Sequence, residues 1–205
     1  MVKDSKSMAV ASSTSSKKTL IVKKAGRYYS ADLTGPLPRD NSYNYIFGIV
    51  DVTSKMLYTA PLKGLTALEA KNALEKIVND NELDISVLQT DNGTHFLGDF
   101  HEYLESKRIK HIFSAPGKPW TNQIERVWGT LKQSLYKYWT MTNSKKWVKI
   151  LPTLTENYNQ SLHRSIGATP IEARNMSASI LAERIRNNSV KVDLEKQVVL
   201  SLIHI

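Results

Sequence analysis

The feature that most restricts the fold of this chain is the order in which strand-like and helix-like segments follow one another. Three runs rich in Tyr, Val and Ile, separated by turn-forming residues, predict three successive strands near the start of the folded part. They cover Arg27–Leu33, Asn44–Val52 and Lys55–Leu62. Strands that follow each other this closely predict a β-meander.

Helix-like and strand-like segments alternate after this meander. Thr66 and Glu69 have the spacing of a capping box, and apolar residues at helical spacing behind them predict a helix of about 14 residues. The sequence then predicts a strand at Ser86–Thr90, a helix at Phe96–Lys107 and a strand at Ile109–Phe113. The element order is therefore βββαβαβ.

Further helices follow the fifth strand. Apolar residues recur at spacings of three and four over residues 122–141, which predicts a long helix with one buried stripe. The stripe consists of Ile124, Val127, Trp128, Leu131, Leu135 and Trp139. A second helical pattern at 145–162 contains Pro152, which predicts a break or a new helix start there. Residues 169–174 begin with Thr-Pro and predict a short helix.

Composition divides the chain into three parts. Residues 1–26 contain six Ser and six Lys with a single acidic residue, which predicts a basic, flexible arm. Residues 27–176 carry the strand and helix patterns and are expected to form the folded core. Residues 177–205 are expected to form a helical extension, and we interpret their final apolar run, Val198–Ile205, as a truncated or foreign tail.

Charge and cysteine content limit the possible functions. The 28 basic and 19 acidic residues give a net charge of +9, which favours a polyanionic partner such as nucleic acid or an anionic membrane surface. The N-terminal arm carries +5 of this charge, so the position of basic residues matters more than their total. The chain has no cysteine, which excludes disulfides, a thiol nucleophile, Cys-ligated zinc and iron–sulfur clusters. It has neither a membrane-span pattern nor a signal-peptide pattern, so we expect an intracellular protein without a membrane partner.

Three carboxylates occupy positions that folding alone explains poorly. Asp32 interrupts the first strand, where a charge is costly unless it is paired or bound to a metal ion. Asp91 follows the fourth strand, at the end of the sheet where open α/β folds bind ligands. Glu125 lies in the first turn of the long helix. If the strand order is 3-2-1-4-5, the two aspartates point into one notch and the glutamate could close it.

These oxygen donors define the kind of metal and the kind of reaction that the site would support. Carboxylates without Cys or a His cluster suit hard divalent cations such as Mg²⁺ or Mn²⁺. Two such ions about 3.5–4 Å apart activate the attacking oxygen and stabilise the leaving oxygen of a phosphoryl transfer. The three carboxylates therefore indicate nuclease or strand-transfer chemistry.

The stretches around these carboxylates resemble the catalytic core of retroviral and retrotransposon integrases, which are DDE recombinases with an RNase H-like fold. The similar stretches are ADLTGPLP (31–38), TDNGTHF (90–96), residues 114–126 with NQIER at their end, and residues 158–172. The spacing of 33 residues between Asp91 and Glu125 is close to that of the family. Within the family, the long helix and the segment YN…HRS most resemble integrases of Polinton-type elements and virophages.

The resemblance implies both a fold and an activity. The fold would be α/β, with a five-stranded mixed sheet in the order 3-2-1-4-5 and helices on both faces. The activity would be 3′-end processing of element DNA and its strand transfer into target DNA. Asp32, Asp91 and Glu125 would be the catalytic residues and would hold two Mg²⁺ or Mn²⁺ ions. The expected partners are double-stranded DNA and further copies of the chain, in the nucleus if the host is a eukaryote.

Basic and amide side chains near Glu125 are candidate DNA contacts. Lys132 lies seven residues further along the helix, on nearly the same face, and Gly129 between them leaves room for a phosphate. Arg126 and Lys137 belong to a neighbouring stripe, and both also fit a solvated helix face. The loop before the helix adds Lys118 and Gln123.

Other interpretations of the same residues remain open. Asp91 could form only an ordinary Asp-Asn-Gly turn, and Glu125 could form a capping box with Asn122. The chain could also be a domesticated DNA-binding protein without catalysis, although it retains all three carboxylates. A third hypothesis is a structure-selective nuclease that hydrolyses DNA without joining it.

Overall fold

A single mixed sheet forms the centre of the computed structural model, which describes residues 25–114 and 123–188. The strands are β1 (Tyr28–Thr34), β2 (Tyr45–Asp51), β3 (Leu57–Leu62), β4 (Val87–Thr90) and β5 (Lys110–Phe113). Their order is 3-2-1-4-5. The pairs β1–β2 and β2–β3 are antiparallel, whereas β1–β4 and β4–β5 are parallel. The predicted strand order is confirmed.

In the described part of the chain, helices connect and follow the strands. They are α1 (Ala67–Asp80), α2 (Asp99–Ser106), α3 (Gln123–Thr142), α4 (Leu151–Gln160) and α5 (Pro170–Asn175). Residues 178–188 are also helical. Most of the predicted arm (residues 1–24) lies outside the described residues, and so does the end of the chain with its apolar tail (residues 189–205). The three-part division of the chain therefore stays a prediction.

The helices cover both faces of the sheet, as predicted. Helices α1 and α2 pack on one face, where Tyr29 and Ala31 of β1 join their hydrophobic core. Helices α3 and α4 pack on the other face, where Ile46 and Val50 of β2 join a second core. Since side chains alternate along a strand, Asp32 projects toward the face covered by α3.

The predicted helix at Phe96–Lys107 is shorter in the structure. Thr94–Phe96 forms a 3₁₀ turn, and α2 begins only at Asp99. Between them Gly98 has a φ of 52°, in the left-handed region that a continuous helix does not use. The sequence pattern merged two short elements because their apolar residues share one helical spacing.

The predicted helical segment at 145–162 is also shorter, because α4 begins at Leu151. Asp40 Oδ2 accepts hydrogen bonds of 2.8 Å from the backbone N–H groups of both Trp147 and Val148, which holds the connection between α3 and α4. Pro152 lies in the first turn of α4, where its missing N–H costs nothing. The expectation of a new helix start at this proline is confirmed.

Among the described residues, no helix has both the length and the apolar content needed to cross a lipid bilayer.

Candidate active site

Asp32 lies in the middle of β1, beneath helix α3. Its register partner in β2 is Gly48. Asp32 Oδ1 accepts a hydrogen bond of 2.7 Å from the backbone N–H of Leu33, and Oδ2 accepts one of 3.0 Å from the indole N–H of Trp128. A carboxylate oxygen can accept more than one bond, so both oxygens keep capacity for a further partner.

The charge on Asp32 is unfavourable in this position. Burial raises the pKa of Asp32 to about 6, although the donors on Leu33 and Trp128 favour the charged form. The negative charges of Asp91 and Glu125 raise this pKa further. Asp91 and Glu125 are therefore close enough to Asp32 to act on it electrostatically.

Asp91 follows β4 at the carboxyl end of the strand, as predicted. Its Oδ1 accepts a hydrogen bond of 2.9 Å from the backbone N–H of Gly93. This bond is the Asp-Asn-Gly turn of the alternative interpretation. The turn occupies only one carboxylate oxygen, and the Asp91 side chain is exposed, so the turn and a ligand role are compatible.

Glu125 lies in the first turn of α3 and is exposed. Within residues 25–114 and 123–188, no group of three or more His, Asp or Glu side chains is placed so that it could hold a metal ion. The structure thus brings Asp32, Asp91 and Glu125 into electrostatic reach without placing them in ligand geometry. Their role as metal ligands stays a prediction.

Trp128 is the site residue that the sequence analysis missed. We assigned it to the buried stripe of the long helix, and it is indeed only 5% exposed. It also donates to Asp32, and it lies three residues after Glu125, so it joins the helix of one carboxylate to the strand of another. A helical periodicity identifies the buried face but not the polar partner of an indole N–H.

The other predicted DNA contacts differ in their surroundings. Arg126 and Lys137 are exposed on α3, and Lys132 is half-buried. Gly129 faces open space, since an added Cβ would meet no atom within 4 Å. Gln123 accepts a hydrogen bond from Lys55. Lys118 lies outside the described residues, and the DNA contacts of these side chains stay predictions.

The sheet order, the helices on both faces and the aspartate in the central strand define an RNase H-like α/β domain. Two models of the integrase core domain match the sequence, one at residues 22–119 and the other at residues 107–170. Together they cover most of the chain, which belongs to the integrase core domain family. The resemblance to integrase catalytic cores is confirmed, whereas the closer resemblance to Polinton-type and virophage integrases stays a prediction.

Relatives in this family come from viruses and transposons. The chain is 27% identical over 175 residues to the Pro-Pol polyprotein of Simian foamy virus type 1, a match that covers 84% of this chain and 15% of the polyprotein. It is 25% identical over 135 residues to a transposon-derived protein of Caenorhabditis elegans, covering 65% of this chain and 47% of that protein. The chain therefore spans less than half the length of these curated relatives.

Solved structures share the fold at lower sequence identity. The HTLV-2 integrase catalytic core domain in complex with magnesium superposes with a TM-score of 0.61 at 22% identity, over 73% of this chain and 97% of that one. A chain of the simian T-cell lymphotropic virus intasome, in complex with a PP2A regulatory subunit, superposes with a TM-score of 0.64 at 22% identity. That match covers 74% of this chain and 55% of the other.

Proposed function

We propose that this chain is the catalytic core of an integrase or transposase that processes the 3′ ends of element DNA and joins them to target DNA. The observation that carries the proposal is the link between Asp32 and Trp128, which ties β1 to the helix that bears Glu125. The charges of Asp91 and Glu125 both act on Asp32, so the carboxylates share one part of the molecule. Family membership and the viral and transposon relatives support the same activity.

The donor set fits Mg²⁺ or Mn²⁺. Asp32, Asp91 and Glu125 supply only carboxylate oxygens, which hard divalent cations prefer. Asp32 and Asp91 each keep acceptor capacity beyond the hydrogen bonds that they already accept. We propose that these three residues hold the ions, which would polarise the reacting phosphate and lower the pKa of the attacking hydroxyl or water.

The remaining side chains of the site bind and orient. Trp128 fixes the direction of the Asp32 carboxylate without removing its charge, because an indole is a neutral donor. We propose that Arg126, Lys132 and Lys137 contact backbone phosphates along the outer side of α3. Such contacts carry no base information, so affinity should fall steeply with salt and target preference should be weak.

We also propose double-stranded DNA and further copies of this chain as partners. The HTLV-2 catalytic core is described in a trimeric and a dimeric form, and the simian virus protein in an intasome. These assemblies are properties of those proteins, and the fold that they share with this chain supports the proposal of a similar assembly.

Replacement of Glu125 by Gln tests the proposal. The change keeps the size of the side chain but removes its charge, so we expect loss of Mg²⁺-dependent cleavage and joining with duplex binding mostly intact. The measurement uses labelled branched oligonucleotides with Mg²⁺ or Mn²⁺, and Glu183→Gln serves as a matched control because Glu183 is exposed in the helical residues 178–188. Unchanged activity of Glu125→Gln would reject the site assignment.

The same assay separates the other two hypotheses. Cleaved DNA without any joined product would indicate a nuclease that hydrolyses but does not transfer strands. DNA binding by the wild type without any product, in either metal, would indicate a non-catalytic DNA-binding protein.

A further inference from the structure

The turn between β2 and β3 is held by one buried carboxylate. Asp51 accepts hydrogen bonds from the backbone N–H of Thr53 at 3.1 Å and from that of Ser54 at 3.3 Å. The backbone N–H of Lys55 donates to the carbonyl of Asp51 at 2.8 Å. Lys55 itself has a φ of 67°, in the left-handed region that few non-glycine residues adopt. The direction in which Lys55 leaves this turn is therefore fixed by the turn.

The Lys55 side chain connects this turn to helix α3. Its Nζ donates a hydrogen bond of 2.6 Å to the carbonyl oxygen of Val52 and one of 2.6 Å to Oε1 of Gln123. Gln123 is the first residue of α3, so the bond joins residues that are 68 positions apart in the chain. The Lys55 side chain is half-buried, and this burial lowers the pKa of its amine to about 8.

Glu125 lies between two tethers of the same helix. Gln123, two residues before it, is bonded to Lys55, and Trp128, three residues after it, is bonded to Asp32. Both bonds are made by side chains of the first two turns of α3, one to the turn between β2 and β3 and the other to β1. The two tethers hold the turn of Glu125 from both sides.

We propose that Lys55 is a positioning residue that sets the place of Glu125 by anchoring Gln123, and that it is not a DNA contact. The inference rests on the proposed function, because it gives Lys55 a role in the same reaction. It also gives Gln123 a structural partner in place of the DNA contact that the sequence suggested.

A phosphate contact is the competing role for a lysine near this site, and the two roles differ in what they change. A lysine that binds phosphate contributes to DNA affinity and to its salt dependence. A lysine that positions Glu125 contributes to the rate of the chemical step, because catalytic groups must be placed accurately. Separate measurement of kcat and of KM for DNA therefore distinguishes a phosphate contact from a positioning residue.

The experiment compares Lys55→Met, Gln123→Met and the double variant in strand transfer on labelled oligonucleotides. Each single change should lower kcat by about ten- to a hundredfold while KM for DNA stays nearly constant. The double variant should be no slower than the slower single variant, because each change removes the same bond between Lys55 and Gln123. Lys110→Met, at an exposed position of β5, is the control and should behave as wild type.

Three results would overturn the inference. One is a raised KM for DNA in Lys55→Met, with unchanged kcat and a salt slope reduced by about one. Another is additive losses in the double variant. If Lys55→Met does not fold, the activities of Gln123→Glu and Gln123→Met test the inference instead. Glu can accept a hydrogen bond from the Lys55 amine and Met cannot, so Gln123→Glu should keep more strand-transfer activity. Equal activity of these two variants would reject the tether.

Failure of the inference is distinguishable from failure of the proposed function. If the wild type is active and Glu125→Gln is not, the function stands whatever Lys55→Met shows. If the wild type transfers no strand at all, the proposed function fails. The Lys55–Gln123 coupling is then measured by urea unfolding of the wild type, Lys55→Met, Gln123→Met and the double variant. Additive effects of the two changes on stability would reject the bond itself.

Discussion

Gly48→Ala tests how closely α3 must approach β1. Gly48 is the register partner of Asp32, and a Cβ at this position would lie 2.4 Å from Cη2 and 2.9 Å from Cζ2 of Trp128. The indole ring is only 5% exposed, so it has little room to turn away. The added methyl group should therefore push Trp128, and with it α3, away from the Asp32 carboxylate.

The size of the effect follows from these distances. Ordinary contact begins at 3.4 Å, so the ring must retreat by roughly 1 Å. Overpacking of this kind costs about 1–3 kcal/mol, and the alanine regains up to about 1 kcal/mol because glycine is unfavourable inside a strand. A displacement of about 1 Å at catalytic groups can lower the rate about a hundredfold. We expect a small loss of stability and a large loss of activity.

Urea unfolding and strand-transfer kinetics on the same preparations measure both effects. Gly129→Ala is the matched control for the stability measurement, because a Cβ there meets no protein atom within 4 Å. It should stabilise α3 by about 0.5–1 kcal/mol, as alanine does inside a helix. If Gly48→Ala kept wild-type activity and stability, the reasoning that Trp128 sets the distance between α3 and β1 would be wrong.

Two further predictions concern DNA affinity and pH. Lys132→Ala should weaken duplex binding about equally for all sequences, because a phosphate contact carries no base information. It should also reduce the slope of log affinity against log salt by about one. An unchanged slope in a salt titration would remove Lys132 from the DNA-binding face. Burial, with a smaller effect of His101, lowers the pKa of His111 to about 4. The unfolded chain therefore binds more protons between pH 6.5 and 4, and the wild type should lose stability as pH falls through this range. His111→Gln should lose less in urea unfolding, and equal losses would contradict this.

The hydrogen bonds of His111 explain why its protonation is harmful. Thr90 Oγ1 donates to the carbonyl of Asp91, so it can accept from Nε2–H of His111 at 2.9 Å. Nδ1 of His111 then accepts from Nδ1–H of His101 at 2.8 Å. A proton on Nδ1 of His111 would place two donors against each other. The acid effect should therefore loosen the contact between α2 and β5.

The fold could be predicted because its signals are local. Alternation, helical spacing and turn residues gave the strands and α1, and Pro152 gave the start of α4. The helix predicted to start at Phe96 shows the limit of such signals, because the left-handed φ of Gly98, which separates the 3₁₀ turn from α2, is visible only as a backbone angle. The unusual place of Asp32 within β1 was predictable as well, because a charge in an apolar strand conflicts with its surroundings.

The contacts that organise the site could not be predicted in the same way. The bond from Trp128 to Asp32 spans 96 positions, and the bond from Lys55 to Gln123 spans 68. Neither pair has a spacing that a periodic pattern would reveal. Trp128 counted only as a buried apolar residue, and Lys55 only as the first residue of the third predicted strand. Partners that meet through the packing of α3 on the sheet become visible only once that packing is known.

The hydrogen-bond donors around Asp32 are both neutral groups, so they leave its negative charge uncompensated. Among the residues that the structure describes, Lys and Arg side chains form the ion pairs Arg27–Asp84, Lys71–Glu75 and Lys76–Asp80, and His101 Nε2 lies 3.5 Å from Glu105 Oε1. None of these includes Asp32, whose partners are a backbone N–H and an indole N–H. Neutral donors orient a carboxylate and leave its full charge available, whereas a lysine or arginine would compete with a cation for it. The buried amine of Lys55 is likewise bonded to an amide and a carbonyl rather than to a carboxylate. This arrangement costs stability at Asp32, and a charge kept unneutralised at such a cost supports the proposal that Asp32 binds a cation.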